Sequence, residues 1–91
     1  MAAHGVQRLM RSVANLYRIL DVELLCAGQG IEFRAPLTTS APLVRALTRL
    51  RRDVATLGED RYLAPDLEAA ARLVASGEVA MAAGVRLPEL W

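Results

Sequence analysis

Val6, Leu9, Val13, Leu16, Leu20 and Leu24 recur at spacings of three and four residues. That spacing places them on one face of a helix, with Gln7, Arg8, Arg11, Asn15 and Arg18 on the other side. The pattern predicts one long helix over 6–27. After Asp21 the polarity disappears, because Val22, Leu24, Leu25, Cys26 and Ala27 surround the axis. A helix apolar on all sides is buried on all sides. This end is expected deep in a core, one larger than the chain itself can supply. Gly28 and Gly30 are expected to stop the helix, since glycine accepts the positive φ that follows a last turn.

Residues 31–42 read as a connection. Pro36 removes a backbone donor and biases Ala35 away from helical angles. Thr39 or Ser40 is placed to cap the next helix through its hydroxyl. That helix is predicted over 41–57, with Leu43, Leu47, Leu50, Val54 and Leu57 as its buried stripe and Gly58 as its end. A third helix is predicted over 65–76. Pro65 suits a first helical position, and Asp66 and Glu68 sit where the positive end of the helix dipole favours acids. A short helical piece over 78–83 and a tail over 85–91 complete the chain. No internal repeat and no strand pattern emerges, so the expected fold is all-α with about three main helices, a single helical segment over 1–91.

Composition sharpens this picture in one respect. With 54% hydrophobic residues in 91, the apolar load is large for a chain that buries only about 60–65% of its unfolded surface. Partner surface is therefore expected. Eleven basic residues, all Arg, oppose ten acids for a net charge of +1, which argues against a nucleic-acid partner. No apolar run approaches the ~20 residues of a membrane span, and the N-terminus lacks the pattern of a secretory signal. Cys26 is the only cysteine, so no internal disulfide forms and a cytoplasmic location is expected.

Candidate chemistry is sparse. Glu23 flanks the apolar stripe near the most buried end of the first helix. A carboxylate there needs a cation or donors, and Arg34 is the first candidate in sequence. A general base with a raised pKa is the functional alternative. No nucleophile or second acid lies nearby, so a structural anchor is the reading adopted. Arg45, Arg49 and Arg52 form a basic stripe without reinforcing aromatics. Asp53 can pair with Arg49 at i, i+4, which suits a solvated helix face. His4, the only histidine, has no partners at ligand spacing, so no metal site is expected. Cys26 reads as inert core, and Gly28-Gln29-Gly30 lacks the rest of a phosphate-binding loop.

Several short motifs share one order and spacing: Asn15, Glu23, Gln29-Gly30, Arg34, Leu37, Thr39-Ser40, Asp60-Arg61 and Ala64-Pro65-Asp66. In that order, from Met1 to about Gly77, the chain resembles the C-terminal end of the aromatic amino-acid ammonia-lyases. The Gln29-Gly-Ile-Glu-Phe-Arg34 form is similar to the histidine ammonia-lyase branch. The resemblance implies an all-α, homo-oligomeric parent whose active sites combine residues from several subunits. It implies elimination of ammonia from L-histidine to give trans-urocanate. The electrophile of that chemistry is a methylidene-imidazolone (MIO) group, formed from an Ala-Ser-Gly tripeptide by loss of two waters.

The tripeptide, the catalytic tyrosines and the substrate-binding residues lie upstream of the region matched, so no catalytic, cofactor-binding or metal residue carries over. Ala75-Ser76-Gly77 repeats the tripeptide, but Val74 precedes it and Glu78-Val79-Ala80 follows, outside the family's longer pattern. It reads as a helix end. Glu23, Arg34, Arg61 and Asp66 remain as structural candidates. The expected role is scaffold, not competent alone, with the remainder of a lyase chain or another copy as partner. Met1 is compatible with a truncated fragment, a gene remnant or a split subunit that completes a partner chain. A standalone helical interaction module is the competing class.

Overall fold

A computed structural model describes residues 2–86 and Pro88; the predicted tail over 85–91 lies largely outside them. Four helices follow in order: α1 (Ala2–Phe33), α2 (Ala41–Asp53), α3 (Ala64–Ser76) and α4 (Glu78–Ala83). Helix makes up 74% of the described residues, and the architecture is all-α with no strand among them.

α1 runs to Phe33, past both glycines expected to stop it. The reason is spatial. Gly28 is buried against α2, and a Cβ added there would lie 3.1 Å from Leu47 Cδ1 and 3.2 Å from Leu50 Cδ2. Glycine at 28 therefore serves close approach between elements. The helix ends where Arg34 and Ala35 donate to the carbonyls three residues back, at 3.1 and 3.2 Å. Such tightened bonds finish many helices, and Pro36 then has no N–H to continue the ladder.

α2 begins after Ser40, whose carbonyl accepts from Val44 N–H at 2.9 Å. The expected hydroxyl cap is not made. α2 also ends at Asp53, short of the predicted Leu57, because Val54 turns to extended angles (φ −130°, ψ 114°). Side chains from elsewhere satisfy the backbone beyond it, as described below. α3 starts at Ala64 with Pro65 in its first turn and ends on Gly77 in the left-handed region (φ 78°). The Ala75-Ser76-Gly77 segment is thus a helix end. Gly84 closes α4 in the same way (φ 69°).

The core is small. Leu50, Val54, Ala69, Ala70 and Leu73 are buried. Leu24, Leu25, Leu47 and Val79 pack around the cluster as partly buried neighbours. α1 packs on α3 and α2 on α4. Leu43, expected in the buried stripe of α2, is half exposed. Only the C-terminal part of α1 takes part in this packing. Every residue from Ala2 to Leu20 is exposed, so α1 projects from the module as a bare helix. The longest dimension is 54 Å, close to the roughly 48 Å of a 32-residue helix at 1.5 Å per residue.

Candidate functional site

The polar side chains that the fold assembles are clamps. Gln29, on the last turns of α1, holds the extended segment after α2. Its Nε2 donates to Leu57 O at 2.9 Å, and its Oε1 accepts from Leu57 N–H at 3.3 Å. Arg61 holds the same segment from the other side, donating to Ala55 O (2.6 Å) and Thr56 O (3.3 Å), while its Nε meets Asp66 at 2.9 Å. Arg61 and Asp66 are therefore brought together. Asp66 stays in the first turn of α3, where its charge also suits the helix dipole.

A second pair ties α1 to α2. The Arg51 guanidinium donates to Glu32, and Thr56 Oγ1 donates to the same carboxylate at 2.7 Å. Burial pushes the Glu32 carboxyl up, but the hydrogen bonds from Arg51 and Thr56 and the Arg51 charge outweigh it, leaving the pKa below the ordinary glutamate value. A third group links α2 to α4. Arg49 meets Glu78 at 3.0 Å and Asp53 at 3.4 Å. The Glu78 hydrogen bond raises the Arg49 pKa, and Arg49 and Ser76 together lower that of Glu78. Arg45 caps the C-terminal end of α4 by donating to Ala83 O at 2.6 and 3.2 Å. The expected Arg49–Asp53 pair forms, and Arg45 and Arg52 are exposed; Arg45 and Arg49 in addition engage α4, which the sequence did not indicate.

Glu23 and Arg34 are not brought together. Both are exposed, and neither takes part in an ion pair among the described residues. The carboxylate that α1 buries is Asp21, 1% exposed, whose Oδ1 has no hydrogen-bond partner. The expectation placed the packed face on the stripe of Leu16 and Leu20. The face that packs carries Asp21, Leu24, Leu25 and Gly28, about a quarter turn around the helix. Cys26 is likewise exposed where inert core was expected. Its thiol borders a cleft of about 170 Å³ between α1, the end of α2 and the start of α3, lined also by Leu25, Val54, Leu57 and Leu63.

None of this forms a catalytic constellation. The polar groups that meet are acid–guanidinium, hydroxyl–carboxylate and side-chain–backbone pairs, and no nucleophile, base and orienter converge among the described residues. No group of three or more His, Cys, Asp or Glu converges as a metal site among the described residues. No helix among them is long and apolar enough to cross a membrane. The Ala75-Ser76-Gly77 tripeptide does not fit an MIO group. Ser76 Oγ is engaged at its own helix end, with Glu78 Oε2 at 2.9 Å and Leu73 O at 3.2 Å within its reach, and Gly77 N–H, which ring closure would consume, donates to Val74 O (3.2 Å).

The fold and its clamps define an all-α structural segment with one unpaired helical arm. Over 88 residues, 97% of the chain, it is 59% identical to the histidine ammonia-lyase of Roseobacter denitrificans. It spans only 17% of that relative and corresponds to a C-terminal segment of it. No family model and no solved structure matches the chain.

Proposed function

We propose that this chain is the C-terminal scaffold segment of a histidine ammonia-lyase-like enzyme. The observation that carries the reading is the 59% identity maintained along 97% of the chain against a small part of a lyase. The scaffold role accords with the polar contacts that tie α1, α2, α3 and α4 and the segment after α2 together. The parent reaction is elimination of ammonia from L-histidine to trans-urocanate, within histidine catabolism, in a cytoplasmic homo-oligomer. The segment contributes packing surface to that assembly, and the electrophile and base come from the rest of the lyase.

The test is urocanate formation by the chain alone and by the chain mixed with a lyase truncated before its own matching segment. The expected result is no activity alone and restored activity in the mixture. Turnover by the chain alone would refute the scaffold role. One observation favours a second reading, a standalone interaction module: the ion pairs and the small core of residues 21–83 form within this chain. That reading predicts a folded chain that never restores activity.

A further inference from the structure

We propose that α4 is a charge-latched flap: it swings away as a unit about Gly77 when its contacts to Arg45 and Arg49 are weakened, while α1, α2 and α3 stay folded. Its release uncovers one side of the Leu50–Leu73 core. The inference stands independently of the lyase reading.

The first observation is how little apolar contact secures the element. α4 has six residues, none of them buried. Isolated helices shorter than about 12–15 residues are marginal in water, so α4 is helical only while it is docked. Val79 is its one larger side chain against the core. Ala82 and Ala83 are half-buried, and Met81, its largest apolar residue, is 72% exposed. By contrast, α2 buries Leu50, and α3 buries Ala69, Ala70 and Leu73.

The second observation is that polar contacts from α2 grip both ends of α4. At the start, Arg49 Nη2 meets Glu78 Oε1 at 3.0 Å. At the end, Arg45 donates through Nε and Nη2 to Ala83 O, one of the last carbonyls that a helix leaves without an internal partner. Both contacts are within reach of solvent ions: Arg45 is exposed, and the Glu78 side chain is 44% exposed. Arg52 adds positive charge beside Glu78. Contacts of this kind weaken as salt screens them, whereas the apolar core does not.

The third observation is the joint. Gly77 and Gly84 flank α4 at φ 78° and 69°. Glycine moves between such angles and ordinary ones at little steric cost, and hinges are residues at element ends that absorb such changes. A Cβ added at Gly77 would meet nothing within 4 Å, so the joint has room to turn. Ser76 Oγ and Glu78 Oε2 lie 2.9 Å apart across it, a contact within two residues that opening need not break.

The experiment follows amide hydrogen exchange by NMR in the full 91-residue chain, comparing residues 81–84 with the central amides of α2 and α3. In about 0.1 M NaCl, residues 81–84 should exchange at least about tenfold faster, as a unit that opens below the global transition does. Raising NaCl to about 1 M shortens the screening length from about 10 Å to about 3 Å. That change should widen the gap about threefold, the scale of one partly exposed ion pair. Glu78→Gln should widen it as much at low salt and remove most of the salt response. Val79→Ala should speed exchange but keep the salt response, which separates a latch from plain apolar packing.

Exchange of residues 81–84 at the same rate as the amides of α2 and α3 would overturn the flap. A gap unmoved by salt and by Glu78→Gln would overturn the latch. If Glu78→Gln loses helical content beyond α4, Arg45→Ala, at an exposed position, decides: faster exchange at 81–84 with α2 and α3 unchanged is expected, and unchanged exchange there refutes the proposal.

Discussion

Gly28 and Gly30 lie two residues apart in α1 and should answer differently to an added side chain. A Cβ at Gly30 meets nothing within 4 Å, so Gly30→Ala gains helix propensity without a clash. Thermal unfolding followed by circular dichroism should show about 0.5–1 kcal/mol of stabilisation. Gly28→Leu drives a branched side chain between α1 and the Leu47–Leu50 ridge, and overpacking of that kind costs about 1–3 kcal/mol. Asp21 gives a third prediction. Its side chain is buried with Oδ1 unpartnered, so Asp21→Leu, which puts an apolar group of similar size there, should stabilise the free chain by about 1 kcal/mol or more; a lower melting temperature would show that the side chain has a partner in solution. The sequence pointed to Glu23 in place of Asp21 for a physical reason. Periodicity identifies an apolar face, and α1 has one, but α3 and the flat spot at Gly28 engage a different side.

At the scale of elements, α3 and α4 were legible because their boundaries are set by local chemistry: Pro65 at the start, and Gly77 and Gly84 at positive φ. The end of α2 was not legible. Its apolar pattern continues through Leu57, and the bonds that divert the chain at Val54 come partly from Gln29, 28 residues away from Leu57. Gln29 was legible only as part of a family-like motif, without its role. Gln29→Ala should leave Leu57 N–H and O without those partners and cost about 1–2 kcal/mol in urea unfolding, with the loss concentrated in hydrogen-exchange protection of residues 54–58. The Glu32–Arg51 tie adds a pH dependence. The folded carboxyl binds its proton more weakly than the unfolded one. Its contribution is therefore complete above the ordinary glutamate pKa of about 4.3 and is lost as pH falls through the lower folded value. Stability measured from pH 7 to pH 3 should fall less steeply in Glu32→Gln than in the parent chain.

The whole molecule divides into a compact part and an arm. The compact part, residues 21–83, has few fully buried side chains, with Leu50 and Leu73 the largest apolar ones. Leu50→Ala is expected to cost about 2–5 kcal/mol, comparable to everything a core of this size supplies, so that variant should lose its cooperative melting transition. The arm has a consequence of another kind, for stoichiometry. On the proposed reading as a lyase segment, one continuous polypeptide would present α1 to the rest of the enzyme as a tethered neighbour, at an effective concentration near the millimolar range for a short linker. As a separate chain present at micromolar levels it forgoes that tether, a factor of about a thousand, or about 4 kcal/mol of driving force. Assembly in trans is then governed by gene dosage. Raising the amount of the segment relative to the truncated body should titrate enzyme activity upward to saturation, whereas a fused segment is insensitive to its own supply.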